Sequence, residues 1–312
     1  MTHDTGEGAP ITEYILLLTL AALWGGSFTL IKVALENYPP MTIVSSRLLI
    51  GGFVLVLIAM IRRDVFPSTG KRWLELLIQG TLQGGLPFFL ITWAEKYVAS
   101  SVAGIVNSTP PMFVFLITVF ILRTVKFDGF KLLGILFGMA GVAIIATSRA
   151  ISVEDSSVLA VLAVLAASCS YAVGAIYGRR FGDQSAFITG GVSLLLAAVL
   201  TTPAAMFFEA PLSITPELKP TLALLALAFF STALASLIFF RLIKTLGSLA
   251  TTSNAYLRAL FSMALGAVFL GEELGTSVLL ASLSIFLGVF LVTGQFRKNI
   301  YDRMFGKALK NV

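Results

Sequence analysis

Two arginines flanked on both sides by apolar residues have the clearest chemical potential in this chain. Arg47 lies in the apolar run 41–61 and Arg258 in the run 248–270. A cation at the bilayer centre costs roughly 2.5–3.5 kcal/mol on insertion scales, so such a side chain faces a bundle interior or water. Arg258 is the deeper of the two and the better placed to attract a substrate carboxylate. The competing structural readings are pairing of Arg258 with free backbone carbonyls and outward snorkelling or loop anchoring of Arg47.

Pro110 and Pro111 sit in the middle of another apolar run, 98–122. They remove two amide donors and leave carbonyls one turn earlier, near Asn107, without their helical partners. In lipid those groups need partners or a wet cavity. Asn107 and Pro110 are therefore candidates for lining a substrate path, against the plainer reading of a structural kink. Trp24 and Tyr171 lie well inside their runs and offer apolar faces with polar tips. Ser27, Asn254 and Tyr256 complete the cavity candidates, whereas Trp93 and Tyr97, at a run's end, suit an interface belt.

The elements that must position these residues follow from composition. Of 312 residues, 57% are hydrophobic and 12% charged, and the mean hydropathy is +0.93. Soluble domains carry about twice that share of charge. Apolar runs fall at 14–34, 41–61, 73–94, 98–122, 130–148, 157–177, 186–208, 219–240, 248–270 and 276–295. About 20 apolar residues span a bilayer, so the expected fold is an all-α integral membrane protein of ten transmembrane helices with short connections. Lys and Arg accumulate in cytoplasmic loops. Sixteen of the 22 basic residues fall on the side of the termini and four on the other, which predicts both termini in the cytoplasm.

Internal similarity divides the chain. At an offset of 147, Trp24 to Lys32 falls on Tyr171 to Arg179, and Gly141-Val142 on Gly288-Val289. At 148, Ala99-Ser100 falls on Gly247-Ser248. The expected organisation is a cytoplasmic tail 1–13, a five-helix repeat 14–148, a second repeat 157–295 and a basic cytoplasmic tail 296–312. Five is odd, so the repeats are inverted, an arrangement that places substrate sites near the midplane around a central cavity. Pairs Gly80/Gly84, Gly134/Gly138 and Gly174/Gly178 allow close helix packing.

Ala22-Leu23-Trp24-Gly25-Gly26-Ser27-Phe28 with Lys32, Ser46-Arg47, Thr109-Pro110-Pro111 and Phe269-Leu270-Gly271-Glu272 together resemble the drug/metabolite transporter superfamily. The likeness is to its EamA-type ten-helix members and, among them, to bacterial aromatic amino acid exporters. It covers essentially the whole chain, with two departures. Arg123-Thr124 stands where the family ends its fourth helix in Gly-Glu, and Ala259 where a proline opens the matching segment of the second half. The resemblance implies secondary transport out of the cell, with substrates ranging from amino acids to cationic drugs. The expected protein is a bacterial inner-membrane exporter of amino acids, aromatic and hydrophobic ones above all, and the alternative is an exporter of cationic drugs or other small metabolites by proton antiport.

Other classes lack raw material. The chain has one cysteine, Cys169, and one histidine, His3, in the N-terminal tail, which excludes a disulfide framework and leaves little for metal binding. No Walker loop, dinucleotide fingerprint or nucleophile and base pair appears in the spans, so neither an intramembrane enzyme nor a cofactor is expected. The net charge of +6 is spread through many connections, unlike a nucleic-acid-binding face. The expected partners are the small-molecule substrate and the lipid bilayer, with the chain acting as a monomer. Only Glu13, Glu75 and Glu272, at span ends, bring carboxylates into the spans, which favours uniport-like movement over proton antiport.

Overall fold

The computed structural model describes residues 11–124, 127–146, 155–247, 251 and 254–293. Residues 1–10 with His3, the basic tail 296–312, Lys126, Arg149 and the side chain of Tyr256 lie outside the described residues, while residues 11–13, expected in the N-terminal tail, open the first helix; no strand occurs among the residues described. Among the described residues, seven helical segments are long and apolar enough to cross a membrane: α1 Ile11–Ala34, α2 Pro40–Ile61, α3 Gly70–Ala94, α4 Ser100–Ile121, α6 Ser157–Phe181, α7 Ala186–Glu209 and α8 Leu218–Thr245. Three shorter apolar helices complete the set, α5 Gly129–Ala146, α9 Asn254–Leu270 and α10 Thr276–Thr293.

Exposed Phe53, Phe207, Phe208, Val268 and Leu283 lie on the outer faces. An apolar face of that extent is stable against lipid rather than water.

The segments pair in a regular way. α2 lies on α7, α4 on α9 and α5 on α10, while α1 touches α8 and α9 and α6 touches α3 and α4. Each of these pairs maps onto itself or onto another when the first five segments are exchanged with the last five. Part of the helix detail follows the same rule, although the π-helical turn at Ile117–Ile121 of α4 has no counterpart in α9. π-helical turns interrupt α3 at Thr81–Gly85 and α8 at Leu227–Leu234. Left-handed residues end α2 at Arg63 and α7 at Ala210, and end α4 at Arg123 and α9 at Gly271.

Small residues let these pairs approach. A Cβ on Gly141 would lie 2.7 Å from the Ala281 carbonyl across the α5 and α10 contact, and one on Gly51 would lie 2.9 Å from Thr232 Cγ2 across α2 and α8. Gly80 packs on the Ser193 carbonyl of α7, and Gly174 and Gly178 pack on Gln83 and Gln79. Glycine pairs thus serve close packing.

Polar contacts between segments define two poles. At the near pole, where α1 begins, Arg72 reaches Asp183 at 2.6 Å, Arg241 pairs with Glu13 at 2.9 Å, and Ser185 Oγ donates to Asp64 at 2.5 Å. At the far pole, carboxylates cap helix starts across the chain. Glu209 accepts from the amides of Met41 and Thr42 at 3.0 and 2.6 Å, and Glu272 from those of Ser100 and Ser101 at 2.7 and 3.0 Å. These bonds satisfy orphan amides that open α2 and α4. Neither helix has a capping side chain of its own.

Arg123 ends α4 at φ 53° where the corresponding α9 terminus has Gly271 at φ 65°. A left-handed conformation disfavours residues with a Cβ. Arg123→Gly is therefore expected to raise stability by about 1 kcal/mol, read as a higher midpoint in thermal denaturation of the detergent-solubilised protein.

Candidate functional site

The prolines of α4 organise the centre of the molecule. Pro110 and Pro111 lack the amides that would bond the carbonyls of Val106 and Asn107. The helix accordingly stops at Val106 and restarts at Pro110. Thr109 Oγ1 donates to the Val106 carbonyl at 2.9 Å, and the Arg258 guanidinium, arriving from α9, donates to the Asn107 carbonyl. The Asn107 side-chain oxygen accepts from Ser168 Oγ of α6 at 3.0 Å. One interrupted turn thus ties α4 to both α6 and α9.

Arg258 is held in place from the other side by α1. A Cβ on Gly25 would lie 2.7 Å from the Arg258 carbonyl, so the α1 backbone runs directly against α9 there. That contact sets Trp24 beside the guanidinium, whose carbon lies 5.7 Å from the Trp24 ring centre and 6.0 Å from that of Tyr171. The two rings stack at 6.5 Å with an interplanar angle of 26°. Trp24 Nε1 donates to the Ser231 carbonyl at 3.2 Å and Ser231 Oγ to the Leu23 carbonyl at 2.9 Å, fixing α1 against α8.

Arg47 occupies the opposite wall. It is 2% exposed, which corrects the alternative of outward snorkelling: the head group turns into the protein. Its Nε donates to Thr232 Oγ1 at 2.9 Å, and its guanidinium carbon lies 3.9 Å over the Phe88 ring. Thr232 can accept because its own hydroxyl donates to the Leu227 carbonyl, at 2.8 Å within the π-helical turn of α8. A cation over an aromatic face gains about 0.5–2 kcal/mol, the upper end when desolvated.

Between these walls lie two small adjoining cavities. One, of about 20 Å³, is bordered by Trp24, Ser27, Phe88, Arg47, Tyr171 and Arg258, with Asn107 at its edge. The other, also of about 20 Å³, is bordered by Trp24, Gln83, Pro110, Tyr171, Asn254 and Arg258. Each has room for about one water. Eight of the nine residues singled out from the sequence therefore meet at one centre, and the ninth, Tyr256, has its side chain outside the described residues. Among the described residues neither arginine has a carboxylate within 4.0 Å. Arg258 Nε, Asn107 Nδ2 and Asn254 Nδ2 are buried and have no hydrogen-bond partner among the described residues. The centre is a cationic, aromatic-walled site with spare donors, suited to a carboxylate beside an apolar group.

Sequence reading missed Phe88, Phe239 and Thr232, which no sequence signal distinguishes from packing residues. Gln83 had a signal: Gln79 and Gln83 place two amides one helical turn apart in an apolar segment, on the face met by α6. Glu95 falls between the apolar runs 73–94 and 98–122, yet it is 0% exposed. Trp93 and Tyr97 do meet at the end of α3, with rings 5.0 Å apart and Tyr97 exposed. At the near pole a separate cavity of about 320 Å³ is lined by Arg179, Gln184, Thr189, Phe240 and Lys244.

Comparison with known proteins gives consistent matches. The profile of the EamA-like transporter family matches twice, at residues 11–147 and 158–294. The uncharacterized inner membrane transporter YedA of Escherichia coli K12 is 28% identical over 89% of each chain. The uncharacterized transporter YoaV of Bacillus subtilis is 24% identical over 90% of this chain and 97% of its own, and protein PagO of Salmonella typhimurium 23% over 89% and 91%. A crystal structure of a protein sharing 20% of its residues superimposes with a TM-score of 0.67, covering 93% of this chain and 99% of the other.

The Arg47 and Thr232 pair supplies a direct test of the site's construction. Thr232→Val keeps the shape but removes the acceptor, and is expected to lower stability by about 1.5–3 kcal/mol, the range for a hydrogen bond to a charged group. Thr232→Ser should restore most of it, in denaturation midpoints measured side by side.

Proposed function

This chain belongs to the EamA-like transporter family, a multi-pass membrane transporter, and from that premise we propose that it exports amino acids, broadly and with preference for aromatic and hydrophobic ones. The observation that carries the reading is the central site. Arg47 and Arg258 offer charge-assisted donors to a carboxylate, which such guanidinium groups bind in two-pronged fashion. Trp24, Tyr171 and Phe88 offer apolar faces to a side chain, and Ser27, Asn107 and Asn254 offer polar contacts to an amino group. Two buried cations disfavour positively charged drugs as substrates, and phosphorylated solutes call for a denser basic site.

Transport proceeds by alternating access. The architecture we propose is ten transmembrane helices as two inverted five-helix repeats, a reading supported by the twofold family match, the exchangeable helix pairing and the matched π-helical turns and left-handed termini. The near pole is cytoplasmic, in keeping with the basic residues gathered there, and the membrane is a bacterial inner membrane, as for the inner membrane transporter YedA. A solute reaches the centre from the near-pole cavity, past Phe240 and Phe239, whose rings lie 5.3 Å apart, with Phe239 5.4 Å from Trp24. The centre widens to accept it, since each of its two cavities has room for no more than about one water. One chain carries both halves, so the monomer is the working unit.

Counterflow of labelled phenylalanine and methionine into liposomes containing the purified protein tests this reading. Uptake by the native chain is expected, with a loss of about tenfold or more for Arg258→Ala, the equivalent of one charge-assisted hydrogen bond. Uptake of labelled cations but of no amino acid would overturn it.

A further inference from the structure

The far pole contains a charged group that the central site does not use. Glu95, one residue beyond the end of α3, is 0% exposed, and among the described residues neither of its carboxylate oxygens has a hydrogen-bond partner. The surrounding bonds pass it by. Lys32 Nζ of α1 donates to the backbone carbonyls of Glu95 and Val98, the latter at 2.9 Å. Glu272, from the segment after α9, binds the amides of Ser100 and Ser101. An ionised carboxylate in so dry a place, without donors, is strongly disfavoured, and such a group takes up a proton instead.

We propose that Glu95 is a proton-binding site that locks the far pole: it is protonated while that pole is closed and loses its proton when the pole opens to water. The proposal rests on the alternating-access part of the functional reading and not on the identity of the solute.

Opening the far pole separates α1 from α3 and α9 from α4, which breaks the Lys32 and Glu272 bonds and admits water to Glu95. The charged groups facing Glu95 are Lys32 from α1, Glu272 from beyond α9 and Arg47 from α2, while Lys96 and Tyr97 of its own segment are exposed. Burial is the leading cause that holds the Glu95 carboxyl well above the usual carboxylate range, opposed by Lys32, reinforced by Glu272 and opposed again by Arg47.

The sign follows from linkage. A carboxyl whose affinity for protons is raised in the closed form favours closure below the ordinary carboxylate range. That advantage falls by about tenfold per pH unit above it, until the buried value is reached. The arrangement is confined to one pole. The residue 147 positions on from Lys32 is Arg179, which borders the open near-pole cavity, and those 147 and 148 on from Glu95 are Leu242 and Ile243, neither of them acidic.

Amide hydrogen exchange of the native protein and of Glu95→Gln in nanodiscs, followed across pH, tests the lock without any solute. Comparing the two proteins at each pH cancels the chemical pH dependence of exchange. The native to variant ratio for the peptide spanning residues 96–101 is expected to be near one at about pH 4.5 and to rise about tenfold or more by about pH 7.5. Near-pole peptides should show no such rise. A ratio that does not change with pH overturns the proposal, as does a rise shared by every peptide, which would mark general destabilisation. Glu95→Met, also neutral, repeats the comparison should the glutamine variant fail to assemble.

Discussion

Everything at the centre of this protein depends on two backbone carbonyls that Pro110 and Pro111 leave without amides. In hydrocarbon no water is at hand, so each freed group needs a protein donor. Val106 finds one locally in Thr109, and Asn107 finds one in Arg258, more than a hundred residues along the chain. The same bond satisfies a cation that would otherwise be expensive to bury. Two local defects, a broken helix and a buried charge, thus cancel one another, and they do so only when α4 and α9 lie side by side.

The second arginine is held by the same logic with a different defect. A π-helical turn in α8 loosens the backbone ladder and leaves the Leu227 carbonyl for Thr232, whose oxygen in turn receives Arg47. Neither guanidinium is matched by a carboxylate among the described residues. Both are anchored by neutral oxygens and aromatic faces, which leaves their charge available. Carboxylates are instead spent at the poles, where Glu209 and Glu272 cap helix starts contributed by the other half of the chain. Such caps bind the halves at a pole while leaving the middle free of countercharge. The uniport-like expectation rested on carboxylates being confined to span ends, and Glu95, completely buried one residue beyond α3, is a carboxylate at such an end.

How much of this was legible beforehand can be judged from particular residues. A stretch of apolar residues long enough to cross a bilayer announces itself without any partner, because burial in lipid is a property of the segment. The boundaries of the runs at 41–61 and 186–208 accordingly differ by a single residue from α2 and α7. Arg47, Asn107, Pro110 and Arg258 stood out because each carries a physical penalty in an apolar run, and penalties must be offset somewhere. Phe88 and Phe239 carry none, so nothing in the sequence separates them from the other aromatic residues of the spans.

The sequence by itself determined that the chain lives among apolar helices, which stretches form them to within a few residues, and which polar residues need an interior. Only the tertiary structure decided which partner each of them has. Arg258 could have met any freed carbonyl, Arg47 could have snorkelled, and Glu95 could have stood in water at a helix end. Those outcomes depend on contacts between segments far apart in the chain, such as α1 against α9 at Gly25 and α2 against α8 at Gly51. A local pattern encodes the need for a partner, and three-dimensional packing alone supplies it.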